Sequence, residues 1–143
     1  MKRVEALRPL SREHLVALIA AKKLRDATDP AEATEAFLAF WRDDGRRHFR
    51  VEEEVLLPVW ALHAEIDRPG VERMLAEHLA IRRSALRLAT GEASLEELHE
   101  LGRLLHDHVR FEERQLFPIV EDALDADALD QLAAAIDEAE AAP

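Results

Sequence analysis

The stretch HFRVEEEVLLP begins at His48 and returns sixty positions later as HVRFEERQLFP, which begins at His108. Each copy places a glutamate four residues after its histidine, Glu52 in the first copy and Glu112 in the second. Residues four apart lie on the same face of an α-helix, so each copy presents an imidazole nitrogen beside a carboxylate oxygen. Two such units facing each other predict a helical bundle that holds a pair of metal ions.

A second element is also duplicated. Glu13-His14-Leu15 returns as Glu77-His78-Leu79, so each half of the chain supplies one further histidine. A single inward histidine with a glutamate often forms a structural hydrogen bond without any metal. Six such residues on inward faces, duplicated between halves, favour a metal site instead. The predicted ligands are His14, His48, Glu52, His78, His108 and Glu112.

The composition excludes several classes of function. The chain has 143 residues, predicted to form one domain over residues 1–143, and contains no cysteine, so thiolate metal sites and disulfides are excluded. Its net charge of −11 argues against nucleic acid or an anionic membrane as a partner. The longest apolar run, residues 15–21, is too short to span a bilayer. We therefore expect a cytoplasmic location; the sequence indicates no particular protein partner.

Apolar residues recur at intervals of three and four, and glycine and proline are sparse, which predicts an all-α fold. The loops between the predicted helices are short, so consecutive helices should be antiparallel neighbours. The expected architecture is an up-down-up-down four-helix bundle over about residues 10–125, with an internal two-fold pseudo-repeat. A short fifth helix is expected over about residues 127–141.

Local signals predict where the helices begin and end. Ser11 is the expected N-cap of the first helix, and Asp29 is the expected cap of the second. The third helix should follow a turn at residues 68–70, and Ser94 should open the fourth with a capping box. Proline lacks a backbone N–H and clashes with the preceding turn, so Pro58 and Pro118 should end or kink their helices.

Other histidines and glutamates lie near the predicted ligands. His99 and His106 lie on the side of the helix opposite His108 and should face solvent, and His63 lies too far along its helix to reach the site. Glu53 and Glu113 directly follow the proposed ligands and could replace them or contact them from outside. Glu13 and Glu77 could also contact the ligands from outside, but their adjacency to His14 and His78 on a helix points them elsewhere.

The histidine and glutamate pattern over roughly residues 10–125 resembles the hemerythrin-like, or HHE cation-binding, domain family. The resemblance implies a four-helix bundle with two iron ions joined by an oxo or hydroxo bridge. It also implies that Glu52 and Glu112 bridge the ions, that His14 and His48 bind one ion, and that His78 and His108 bind the other. Zinc and manganese are the alternative metals. Each ion then keeps a position for an external ligand.

The sequence departs from the oxygen-carrying members of that family. Those proteins have a further histidine four residues after the one matching His78, where this chain has Arg82. They also have an aspartate at a spacing of five where this chain has Glu112 at a spacing of four. The missing imidazole argues against simple oxygen transport. Arg82 itself is expected to lie on the flank of the helix rather than in a ligand pocket.

Three functional hypotheses follow. The first is a non-haem di-iron protein that binds or senses dioxygen or a related small oxidant, such as nitric oxide or peroxide. The second is an enzyme that consumes peroxide or nitric oxide at the same site, and the third is an iron-handling or iron-sensing module. A ferritin-like site is disfavoured, because it needs two Glu-x-x-His units and the chain has one, Glu96 to His99, on the outer face.

Overall fold

The apolar repeat of the sequence forms helices throughout the described part of the chain. The computed structural model describes residues 2–142 and contains no strand within them, so the predicted all-α class is confirmed. The alternating up-and-down order of the long helices stays a prediction. A short 3₁₀ turn, Glu5–Leu7, precedes the α-helical segments. These are α1 (Arg8–Arg25), α2 (Pro30–Phe40), α3 (Arg46–Val51), α4 (Leu57–His63), α5 (Arg68–Thr90), α6 (Leu95–Phe111), α7 (Phe117–Ala123) and α8 (Ala126–Ala141).

Three π-helical segments join shorter α-helices into long ones. Trp41–Gly45 joins α2 to α3, and Glu52–Leu56 joins α3 to α4, so the second long helix spans residues 30–63. Glu112–Leu116 joins α6 to α7, so the fourth long helix spans residues 95–123. Two of these three segments begin at a predicted bridging glutamate. Single π turns inside α-helices are frequent at functional sites.

Of the two outcomes expected at Pro58 and Pro118, a helix end or a kink, the helix end is wrong. Helix α4 continues to His63 and α7 continues to Ala123. Each proline lies in the first turn of its segment, directly after a π segment. At that place the missing backbone N–H removes no regular α-helical hydrogen bond, because the ladder has already changed register.

Two other predicted boundaries also differ from the structure. Helix α1 begins at Arg8, with Pro9 in its first turn, so Ser11 lies inside the helix and is not its N-cap. The Ser11 hydroxyl instead donates to Glu113 at 2.7 Å. The turn expected at residues 68–70 is also misplaced, because α5 already begins at Arg68.

Both remaining capping predictions are confirmed. The side chain of Asp29 accepts from the backbone N–H groups of Ala31 and Glu32, and this opens α2. Ser94 and Glu97 form a reciprocal capping box at the start of α6. These two caps fix where the second and fourth long helices start.

The core consists of two apolar clusters, and the predicted ligands fall between them along the helices. On the fourth long helix, Val109 belongs to one cluster and Leu116 to the other, with Glu112 between them. Helix α8 closes the cluster that contains Leu116 with the buried side chains of Leu132 and Ile136. The histidines and glutamates are therefore sealed on two sides by hydrocarbon, where water cannot hydrate them.

A close contact between α1 and α6 brings the first and fourth long helices together. A Cβ atom at Gly102 would lie 2.8 Å from the carbonyl oxygen of Ala21 and 2.9 Å from the backbone nitrogen of Arg25. Glycine is therefore required for this approach. Among the helices of residues 2–142, none is both long and apolar enough to cross a bilayer.

Candidate metal centre

All six predicted ligands meet in the interior of the bundle. Their side chains are buried, and the most exposed of them, His48, retains 6% of its surface. They form two groups whose donor atoms lie within 4.8 Å of one another. One group contains His14 and His48, the other contains His78 and His108, and Glu52 and Glu112 belong to both.

In the first group, one ring nitrogen of each histidine points to a shared carboxylate. His14 Nε2 lies 2.8 Å from Glu112 Oε1 and 3.7 Å from Glu52 Oε2. His48 Nε2 lies 3.3 Å from Glu52 Oε2. Two imidazoles and two carboxylates from three different long helices thus converge on one point.

The second group has the same arrangement. His78 Nε2 lies 3.2 Å from Glu52 Oε1 and 3.4 Å from Glu112 Oε2. His108 Nε2 lies 3.0 Å from Glu112 Oε2. Both glutamates therefore present oxygen to both groups, as bridging ligands must. The histidines group in the same pairs that the family resemblance implies.

Several nitrogen and oxygen atoms that could bind a metal in these groups have no hydrogen-bond partner. Among the described residues these are the Nε2 atoms of three histidines, both carboxylate oxygens of Glu52 and one oxygen of Glu112. Buried polar atoms without partners cost free energy and are rare in native proteins. Nitrogen and carboxylate oxygen are the ligands that iron, zinc and manganese accept in proteins. The six residues therefore fit a pair of such ions, although their role as ligands stays a prediction.

The other ring nitrogen of every clustered histidine contacts a glutamate. His14 Nδ1 lies 2.6 Å from Glu113, and His48 Nδ1 lies 2.6 Å from Glu13. The second group repeats the arrangement, because His78 Nδ1 lies 2.6 Å from Glu53 and His108 Nδ1 lies 2.9 Å from Glu77. We call these four carboxylates the outer ring: Glu13, Glu53, Glu77 and Glu113.

The outer ring answers the questions left open by the sequence. Glu53 and Glu113 do not belong to either metal-binding group and contact histidines from outside. The expectation that adjacency points Glu13 and Glu77 away from the site is wrong. Each points away from its own neighbouring histidine but reaches a histidine of the next long helix. A rotation of about 100° per residue moves a side chain from the bundle axis to the adjacent helix.

Three arginines hold members of the outer ring. Arg82 Nη2 donates to both carboxylate oxygens of Glu53 at 3.1 Å. Arg73 binds Glu77 at 3.2 Å, and Arg3 lies 3.2 Å from Glu113. Arg82 is therefore not a free flank residue, because it is half-buried and fixes the carboxylate that contacts His78.

Opposite charges in the interior shift the pKa values strongly. Burial alone would lower the pKa of His48, but the charge of Glu52 and the hydrogen bond with Glu13 raise it to about 9. Burial also opposes protonation of His78, yet the carboxylates of Glu112 and Glu52 close to its ring raise its pKa to about 11. The metal-free chain therefore holds protons on these rings, and a metal must displace them.

The remaining histidines lie outside the cluster, as predicted. His63 is exposed and contacts Gln131. His106 contacts Asp107 at 3.1 Å. The expectation that His99 faces solvent is only partly right, because it is half-buried and its Nε2 contacts the backbone oxygen of Ala27 at 2.9 Å.

A small cavity adjoins the first group. It has a volume of about 10 Å³ and is lined by His14, His48 and His108 together with mainly apolar side chains, among them Ala17, Phe40 and Leu105. A space of this size holds about one water molecule. A larger surface groove of about 740 Å³ lies elsewhere, between α2 and the loop after α5, and none of its lining residues belongs to the cluster.

Comparison with known proteins decides the family. The model of the hemerythrin HHE cation-binding domain matches residues 6–120. The chain belongs to the hemerythrin HHE cation-binding family. The matched range contains all six clustered residues of this hemerythrin domain and its whole outer ring, whereas α8 lies beyond it. No curated protein and no solved structure matches the chain.

Proposed function

We propose that this hemerythrin domain is a non-haem di-iron protein that binds or senses dioxygen or a related small oxidant. The observation that supports it most is the sharing of Glu52 and Glu112 between two buried groups of two histidines each. Shared carboxylates hold two ions close enough to act together. Iron bound there would supply both a binding position for a small ligand and exchangeable electrons.

The chain's own residues define what can reach such a site. The four imidazoles and two glutamates fill the interior, and the cavity beside His14 and His48 leaves about 10 Å³. A space that holds about one water molecule fits only a very small ligand such as a diatomic molecule and is too small for an organic substrate. The apolar lining from Ala17 and Phe40 excludes bulk water and favours a small, weakly hydrated ligand.

The test is to load metal-free protein with ferrous iron under argon and count iron per chain. The proposal expects close to two iron atoms per chain, because six ligands with two shared carboxylates form a paired site. The reduced protein should change its optical spectrum on mixing with oxygen, and the oxidised protein should gain charge-transfer bands with azide. Recovery of one iron or none would refute the proposal.

The same experiment separates binding from turnover. Full return of the reduced spectrum after removal of oxygen would indicate reversible binding. Arg82 stands at the sequence position where oxygen-carrying members of the family have a further histidine, and its side chain binds Glu53, so we expect irreversible oxidation instead. Sustained peroxide consumption that is lost in Glu52→Ala would favour an enzyme over a sensor.

A further inference from the structure

The outer ring forms a closed circuit around the bundle. Glu13 of α1 contacts His48 of the second long helix, and Glu53 of that helix contacts His78 of α5. The circuit continues through Glu77 of α5 to the fourth long helix and through Glu113 back to α1. Each long helix thus holds an imidazole of the next one. No clustered histidine is left without such a carboxylate.

These contacts determine which ring nitrogen faces the interior. A carboxylate can only accept, so each Nδ1 carries the proton and donates it at 2.6 to 2.9 Å. Hydrogen bonds of this length to a charged acceptor are strong. When a metal displaces the proton on the other ring nitrogen, the lone pair of each Nε2 is left facing the interior beside Glu52 and Glu112. A carboxylate on Nδ1 also makes the imidazole a stronger electron donor to a metal.

The outer ring also adds negative charge around the interior. With Glu52 and Glu112 it brings six carboxylates to the site, against three contacting guanidinium groups from Arg3, Arg73 and Arg82. Oxidation adds one positive charge to each bound iron ion. An excess of nearby negative charge favours that change, and partly buried charges are screened less than exposed ones.

We propose that Glu13, Glu53, Glu77 and Glu113 are positioning residues that orient the four imidazoles and, through their charge, stabilise trivalent over divalent iron. The inference rests on the proposed function, because it concerns the same pair of ions. It adds the direction of electron transfer: the protein with divalent iron is the less stable form and gives up electrons to an oxidant. An iron pair held this way is unsuited to reversible carriage.

The first experiment is a redox titration of iron-loaded Glu53→Gln with mediator dyes. The amide retains an oxygen that can accept from His78 Nδ1 but loses the charge. We expect full iron loading and a shift of the reduction equilibrium toward divalent iron of about tenfold, which is about 59 mV for a one-electron couple. Glu54→Gln is the matched control. Glu54 is exposed and adjacent, so the same change of charge should shift the equilibrium less than about threefold.

The second experiment removes a positive charge near the site instead of a negative one. Arg82→Gln removes the positive charge that contacts Glu53 and leaves the imidazole contact in place. The shift should then favour trivalent iron, opposite to that of Glu53→Gln. If Glu53 and Arg82 acted only by holding the structure in place, both substitutions would shift the reduction equilibrium in the same direction. Because Arg82 is only half-buried, this variant also remains informative if Glu53→Gln does not fold.

The outcomes distinguish the inference from the proposed function. Unchanged potentials in both variants at full iron content would refute the electrostatic role and leave the di-iron assignment intact. If wild-type protein does not load iron in pairs, the proposed function fails, and zinc-loaded protein tests the orientation by nitrogen NMR. Four hydrogen-bonded Nδ1–H signals are expected, and Glu53→Ala should perturb that of His78. Failure to bind either metal would refute both.

Discussion

The two halves of the metal centre share their glutamates but differ in what surrounds their histidines. In the half with His78 and His108, both outer carboxylates are held by arginines, Arg82 on Glu53 and Arg73 on Glu77. The His78 ring also stacks on Phe49, with ring centres 3.8 Å apart. Ion pairs with arginine hold both outer carboxylates of this half, and the ring of Phe49 covers one face of His78.

The half with His14 and His48 is less uniform. Glu113 is held by Arg3 and Ser11, but Glu13 has a second carboxylate, Glu140 of α8, as its neighbour. Burial and the hydrogen bond with Glu13 raise the pKa of Glu140 to about 7. The small cavity also adjoins this half.

The duplicated sequence thus predicts the two groups of candidate ligands, whereas residues outside the repeat set their surroundings. Glu140 lies beyond the matched family range, and Arg3 lies before it. We therefore expect the two halves to differ in reactivity, although each contains two histidines and shares the same two glutamates.

The largest effect is expected from the glutamates that belong to both halves. Glu52→Ala and Glu112→Ala should each reduce iron loading in both halves, from close to two ions per chain to well below one, because each carboxylate serves both groups. Elemental analysis after anaerobic loading measures this. His106→Ala is the control and should load normally, since His106 lies outside the cluster. One ion retained at full occupancy would show that the halves are independent.

Metal removal should have the next largest effect. Binding to the native state alone stabilises a protein by about 2.7 kcal/mol at a free metal concentration 100 times Kd. For a chain of this size that corresponds to a rise in Tm of roughly 5–10 °C. Thermal unfolding of loaded and stripped protein measures it. His48→Ala and His78→Ala should each keep part of the rise, and an unchanged Tm in wild type would contradict metal binding in either half.

The pH dependence of the metal-free protein should separate His48 of one half from His78 of the other. The pKa values of His48 and His78 in the folded protein both lie above the unfolded value of about 6.5. The stability that these two protonated rings contribute to the fold is therefore complete below about pH 6.5. It is lost as pH rises through about 9 for His48 and about 11 for His78. Nitrogen NMR of the stripped protein should therefore show His48 deprotonating first. Urea unfolding should show decreasing stability from about pH 7 to 9.5; increasing stability would reverse the sign and refute the assignment.

The smallest effect is expected from Glu140. Glu140→Gln leaves all clustered residues and their direct partners intact but changes the carboxylate beside Glu13. Iron loading should stay complete. In zinc-loaded protein the Nδ1–H signal of His48 should shift while that of His78 stays in place. Equal shifts of the His48 and His78 signals would mean that the two halves do not differ in their electrostatic surroundings.

The repeat made the clustering of the six side chains predictable, because spacing of four on a helix determines which side chains share a face. Capping chemistry likewise located the starts of α2 and α6 from Asp29 and Ser94. The contacts of Glu13 and Glu77 were not predictable in this way. Helical spacing gives the direction of a side chain around its own axis but not which neighbouring helix occupies that direction.

The π segments were missed for a similar reason. Their amino-acid composition, such as EEEVL at Glu52–Leu56, is ordinary for an α-helix. The available signal was Pro58, placed two residues after the segment, which indicates an interrupted hydrogen-bond ladder. That signal was interpreted as a helix end or a kink and not as a π segment. Packing of Trp60 and Val59 into the core is what keeps the chain helical beyond it.

The π segments at residues 52–56 and 112–116 each hold one residue more than an α-helix would use for the same rotation. Deleting one residue within such a segment would restore α geometry and leave the downstream side chains on their present faces, so Trp60 would stay buried. An α-helix advances by about 100° per residue, so a deletion that leaves the π segment in place would instead rotate Trp60 by about that angle and out of the core. The π segments are therefore the places where these long helices can lose one residue and keep their phase.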